Sequence, residues 1–154
     1  MRIHRCVALV ITALSLTMTA AHVLEMPRKL SYSIALYTAV NSTLYLYFAI
    51  FGAIFEVGAI IAVGTLVWRA RHQPSTYWTL VAAIAVTLSL GSWLILVQPV
   101  NRAIAHGASW GDLRLRWELG HLVGFVLSLA GFVALAVATV RDIPVPPVRT
   151  GRRA

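Results

Sequence analysis

Apolar residues fill four long stretches of this chain, roughly 5–25, 43–68, 77–98 and 113–140, and polar residues gather mostly between them. A helix crosses the hydrocarbon of a bilayer in about 20 residues, so each stretch predicts one membrane-spanning helix. The boundaries are marked by charge or by proline. Arg5 precedes the first stretch and Pro27 follows it; Trp68-Arg69 closes the second; Arg141 closes the fourth. Pro99 is expected to end the third, because proline disfavours helix at the residue before it. Between the first two spans, Leu30, Ile34, Tyr37 and Val40 recur at helical spacing and predict a short amphipathic helix in the outer interface. The fold class is therefore all-α: an integral membrane four-helix bundle forming one domain over 1–140. The segment 141–154 is Pro-rich and basic, with nothing to bury, and is expected to be a disordered tail near anionic lipid.

Composition narrows the class. The chain is 59% hydrophobic and 12% charged, against about 25% charged in soluble domains, which excludes a soluble globular fold. The net charge of +8 lies at chain ends and between apolar runs. That distribution suits topology signals and anionic headgroups, not a nucleic-acid-binding face. Cys6 is the single cysteine, so an intrachain disulfide and a thiolate metal cluster are both excluded. "MRIHR" followed by an apolar run and Thr19-Ala20-Ala21 also fits a cleaved signal peptide, but the run continues through His22-Val23-Leu24, which favours a retained helix. Eight Lys and Arg residues fall on the side of the termini and the middle loop, and five on the other. The positive-inside rule thus predicts a multi-pass plasma-membrane protein with both termini cytoplasmic.

With that topology, charge within the spans becomes informative, since each ionised group at mid-bilayer costs roughly 2.5–3.5 kcal/mol. "HVLE" (22–25) runs outward and "ELGH" (118–121) runs inward, each with its histidine deeper and its glutamate one turn shallower. The pairs His22/Glu25 and Glu118/His121 are spaced i,i+3, and Arg114, Glu118 and His121 form one stripe with Trp117 beside it. Two facing stripes would stack two imidazoles in one layer with carboxylates above. Gln98 and Asn101 lie at the outer end of the third span, and Lys29 on the interfacial segment, so one pocket is lined from several elements. Arg116 and Trp110 read as interfacial anchors. Glu56, in "FGAIFEVGAI", falls several turns deeper and shares its face with Ala49 and Gly52, a pattern of close helix packing. It is either a structural carboxyl or a proton-relay step.

The order "HVLEMPRKL…Y", "QPVNRAI" and "W…LRLRWELGH" resembles the anthrone-oxygenase-like family of small four-helix membrane proteins, most of which have no assigned function. The resemblance spans roughly residues 20–135, and Asn101, Trp117, Glu118 and His121 match the family pattern. It implies oxidation of an aromatic anthrone to a quinone by dioxygen, without flavin or haem. The residues suit that chemistry: His121 as base, Glu118 orienting it, and Arg114 with Asn101 holding the oxyanion. His22, Glu25, Lys29, Gln98 and Trp117 would contact an apolar aromatic or quinone-like ligand entering from the lipid. Three alternatives stand beside this reading. The cluster only docks helices in a non-catalytic lipid- or partner-binding protein; or the chain is a carrier, which at this length needs a homo-oligomer; or His22, Glu25, Glu118 and His121 hold a divalent metal, or the histidines a haem. No cofactor is the leading expectation.

Overall fold

A computed structural model describes residues 1–142; of the tail expected over 141–154, Arg141 and Asp142 instead close the last helix, and 143–154 lie outside the described residues. Helix α1 spans Arg2–Lys29, α2 Ile34–Ala70, α3 Thr76–Ser92, α4 Gln98–Ala105 and α5 Leu113–Arg141, with a π-helical turn at Trp93–Val97 joining α3 to α4. Four of the resulting helical rods are long and apolar enough to cross a membrane: Arg2–Lys29, Tyr47–Ala70, Thr76–Ala105 and Leu113–Arg141. Their outward faces carry exposed Val10, Ile54, Ile61, Ile84, Leu88 and Val133, a surface suited to lipid contact. The protein is a small all-α bundle of the membrane type.

The interfacial segment predicted between the first two spans is helical, but it is the beginning of α2 and not a separate element. Ser33 caps it by accepting from the Leu36 N–H at 3.3 Å. The polar run Asn41-Ser42-Thr43 would otherwise invite a break. Here Asn41 donates to the Tyr37 carbonyl at 2.9 Å, and Ser42 and Thr43 donate to Ala39 at 3.1 and 2.7 Å. Their side chains are satisfied within the helix, so nothing competes with its backbone ladder.

Contrary to the expectation from its sequence context, Pro99 does not end the third span. Proline lacks an N–H and its ring crowds the carbonyl four residues back. The preceding turn widens to relieve this: the Gln98 N–H donates to the Trp93 carbonyl, five residues earlier, and the chain stays helical to Ala105. Pro27 is likewise accommodated inside the last turns of α1.

The rods form a ring in which α1 packs on α2 and α5, and α3 packs on α2 and α5. Among the described residues, the diagonal pairs α1–α3 and α2–α5 make no close backbone approach. The contact of α5 with the α3–α4 rod depends on Gly120, where an added Cβ would lie 2.7 Å from Val97 Cγ2. One end of the ring is filled by Ala8, Val63, Leu66, Ala82, Ala134 and Leu135. The other is filled by Tyr37, Val97, Val100, Trp110 and Trp117. At the first end, Arg5 pairs with Asp142, which also accepts from Ser75, so α1, the α2–α3 turn and the end of α5 are tied together.

The basic-residue count makes a direct prediction for this bundle. In a Cys6→Ser background, a cysteine placed at Ser109 is expected to react with an impermeant thiol reagent added outside, and one at Gln73 is not. The opposite labelling pattern would turn the bundle over in the membrane.

Candidate functional site

The α1–α2 hairpin and the antiparallel packing of α5 on α1 bring three helices to one aromatic layer. His22 of α1 stacks on His121 of α5 with ring centroids 4.0 Å apart and planes 20° apart. On its other side His22 stacks on Tyr45 of α2 at 4.7 Å. Trp117 meets His121 edge-on at 4.2 Å and His22 at 5.1 Å. The facing of "HVLE" and "ELGH" therefore brings the two imidazoles into one layer, as the matched depths predict.

The carboxylates behave differently from the sequence reading. Glu118, 1% exposed, accepts from the Tyr37 hydroxyl at 2.7 Å and pairs with the Lys29 ammonium at 2.8 Å. It makes no hydrogen bond to His121 among the described residues, so it does not orient that ring. The Lys29 ammonium also lies over the rings of Tyr45 at 4.4 Å, Trp117 at 4.7 Å and Tyr37 at 5.4 Å. A buried cation is thus held by one carboxylate and three aromatic faces. Burial pushes the Tyr37 hydroxyl above its ordinary range, and its bond to Glu118 adds to the effect, so it remains a donor. Glu25 accepts from Tyr45 instead of meeting Glu118 or Arg114. Arg114 leaves the stripe and donates to the Tyr32 carbonyl at 3.1 Å, where it fastens the α1–α2 turn. Trp117 Nε1 donates to Asn101 Oδ1 at 2.8 Å, and the Asn101 amide donates to Gln98 at 3.4 Å.

Below this cluster lies a cavity of about 670 Å³, within the range of small-molecule sites. His22, His121, Trp117, Asn101, Tyr45 and Trp110 line its outer part. Met18, Phe48, Leu90 and Trp93 form apolar walls, and Glu56 and Ser89 line the deeper part. Of the nine residues expected at a site, His22, Asn101, Trp117 and His121 reach this cavity. Glu25, Lys29, Gln98, Arg114 and Glu118 do not line it; they form the polar cap beside it. Four buried polar atoms on the lining residues have no hydrogen-bond partner among the described residues: His22 Nδ1, His121 Nε2, Asn41 Oδ1 and Glu56 Oε1. Buried polar atoms are seldom left so, and several around one cavity mark a place for a ligand's polar groups.

Among the described residues, no group of three or more His, Cys, Asp or Glu is placed to hold a metal ion. With the His22 and His121 rings stacked 4.0 Å apart, a haem between them would require the stack to open.

Sequence reasoning missed three features. Trp110, read as an interfacial anchor, is 7% exposed and lines the cavity. Glu56, read as separate, lines the same cavity as the histidines. Asn41, Tyr45 and Phe48 were not singled out. The signal was present: Tyr37, Asn41, Tyr45, Ala49, Gly52 and Glu56 recur at three or four residues along α2 and share one face. No family model, curated protein or solved structure matches the chain.

Proposed function

We propose that this membrane protein takes a flat, lipid-soluble aromatic or quinone-like molecule into the cavity at the outer membrane interface and oxidises it with dioxygen. The observation that carries the reading is the pair of stacked imidazoles with an unpartnered nitrogen each, at the wall of a largely apolar cavity of ligand size. The resemblance to the anthrone-oxygenase-like family points the same way.

An imidazole nitrogen removes a proton from the activated CH2 of an anthrone-type ring, and the electron pair delocalises onto the ring oxygen. Asn101 serves that oxygen: Trp117 fixes its carbonyl end and Gln98 takes one amide N–H, which leaves the second N–H as the donor. Dioxygen adds at the carbanion carbon and is reduced; loss of one water leaves a carbonyl there. The balance is one anthrone and one O2 in, one quinone and one water out. Arg114 takes no part, being held by Tyr32.

A second reading is binding without turnover. The engagement of Glu118 by Lys29 and Tyr37, and not by His121, favours it. One experiment separates the two. The full chain in lipid nanodiscs is given an anthrone in aerated buffer, and oxygen uptake and quinone absorbance are followed against protein-free discs. Oxygenation predicts one O2 consumed per quinone, at a rate proportional to protein. Saturable binding without added oxygen uptake supports the second reading, and absence of binding removes both.

A further inference from the structure

The cavity has polar groups at both ends. Glu56 sits on α2 about three turns beyond Tyr45, and its Oε1 is buried without a partner at the deep end of the lining. Ser89 lies beside it but donates to the Gly124 carbonyl at 3.2 Å and contacts the Ser128 hydroxyl at 2.9 Å. The rise from His121 to Ser128 along α5 is roughly 10 Å and that from Tyr45 to Glu56 along α2 roughly 16 Å, which brackets the distance between the two ends. Between the ends the walls are Phe48, Leu90, Met18 and Trp93, and Gly52 and Gly124 present no side chain. The space is an apolar slot with a polar group at each end.

We infer that Glu56 is a specificity-determining residue: it takes the hydroxyl at the far end of an elongated aromatic ligand whose near end meets His22 and His121. A hydroxyl both donates and accepts, so it matches a carboxyl group in either protonation state; an ether or a bare ring edge does not. The spacing of the two poles fits two or three fused rings. The inference rests on the cavity being a ligand site, as proposed above.

The test uses two probes with the full chain in nanodiscs, 2-naphthol and 2,6-dihydroxynaphthalene, with affinity read by calorimetry. The wild type is expected to prefer the diol by about tenfold, the worth of one hydrogen bond to a carboxyl group. Glu56→Leu brings the ratio of affinities close to one while 2-naphthol is still bound. Glu56→Met, which keeps the side-chain length, carries the same comparison should the leucine variant not fold, and Glu56→Gln restores part of the preference. If both probes bind and His121→Phe weakens them, yet the diol preference survives both apolar variants, the role of Glu56 is overturned and the cavity stands. If neither probe binds the wild type, the ligand site itself is overturned, and the role of Glu56 with it.

Discussion

Lys29→Met is expected to destabilise the protein by about 3–5 kcal/mol, the usual cost of leaving one partner of a buried ion pair uncompensated. Lys29 is 2% exposed and Glu118 1%, so neither charge is relieved by water. Removing the ammonium strands the Glu118 carboxylate with only the Tyr37 hydroxyl as donor. It also removes the cation from three rings, contacts worth up to about 2 kcal/mol when desolvated. Glu118→Gln keeps an acceptor for Tyr37 but strands the ammonium, and a loss of similar size is expected. The double variant Lys29→Met/Glu118→Gln leaves no unpaired charge and should recover most of the stability of either single variant. Thermal unfolding in detergent of all four proteins completes the cycle. A double variant as unstable as the sum of the singles would show that the two residues act independently and that the cap is not a closed pair.

The cap also shows what a single helix can and cannot reveal. The four spans, their antiparallel order and the facing histidines were legible, because length, charge boundaries and matched depth are local properties of each stretch. The partner of Glu118 was not. Spacing on α5 offered Arg114, one turn away on the same stripe, whereas the structure supplies Lys29 from α1. Helical geometry could have chosen better on that side. At about 100° per residue, Glu25 lies roughly 60° from the direction of His22, while Lys29 returns to within about 20° of it. Lys29 therefore faces α5 together with His22, and Glu25 turns toward Tyr45 of α2. Pro99 was misread for a different reason. Its rule concerns an ideal α-turn, and one widened turn at Trp93–Val97 removes the conflict without ending the helix. A pocket at the level of the histidines was legible, but its extension down to Glu56 was not, since that depth arises from diagonal helices held apart, and no local pattern encodes their distance.

His121→Phe is the variant that weighs most heavily on the proposed chemistry. Phenylalanine keeps a flat ring for the stack on His22 and the edge contact with Trp117, and it deletes the nitrogen. His121 Nε2 has no partner among the described residues, so its loss leaves none of their groups newly unsatisfied, and the melting temperature should stay within a few degrees of the wild type. If His121 is the base, quinone formation falls by about 100-fold or more, the ordinary worth of a positioned proton acceptor. The fall appears in kcat more than in KM, because the ring still packs against the substrate. The symmetric stack makes His22→Phe the necessary companion. His22 also presents an unpartnered nitrogen, Nδ1, and a larger loss in that variant would move the base to α1 without altering the site. Should both variants turn over anthrone at the wild-type rate, the imidazoles are packing elements and the oxygenase reading fails. If turnover is lost only together with a collapse in melting temperature, the stack is structural, and the binding reading is the one that remains.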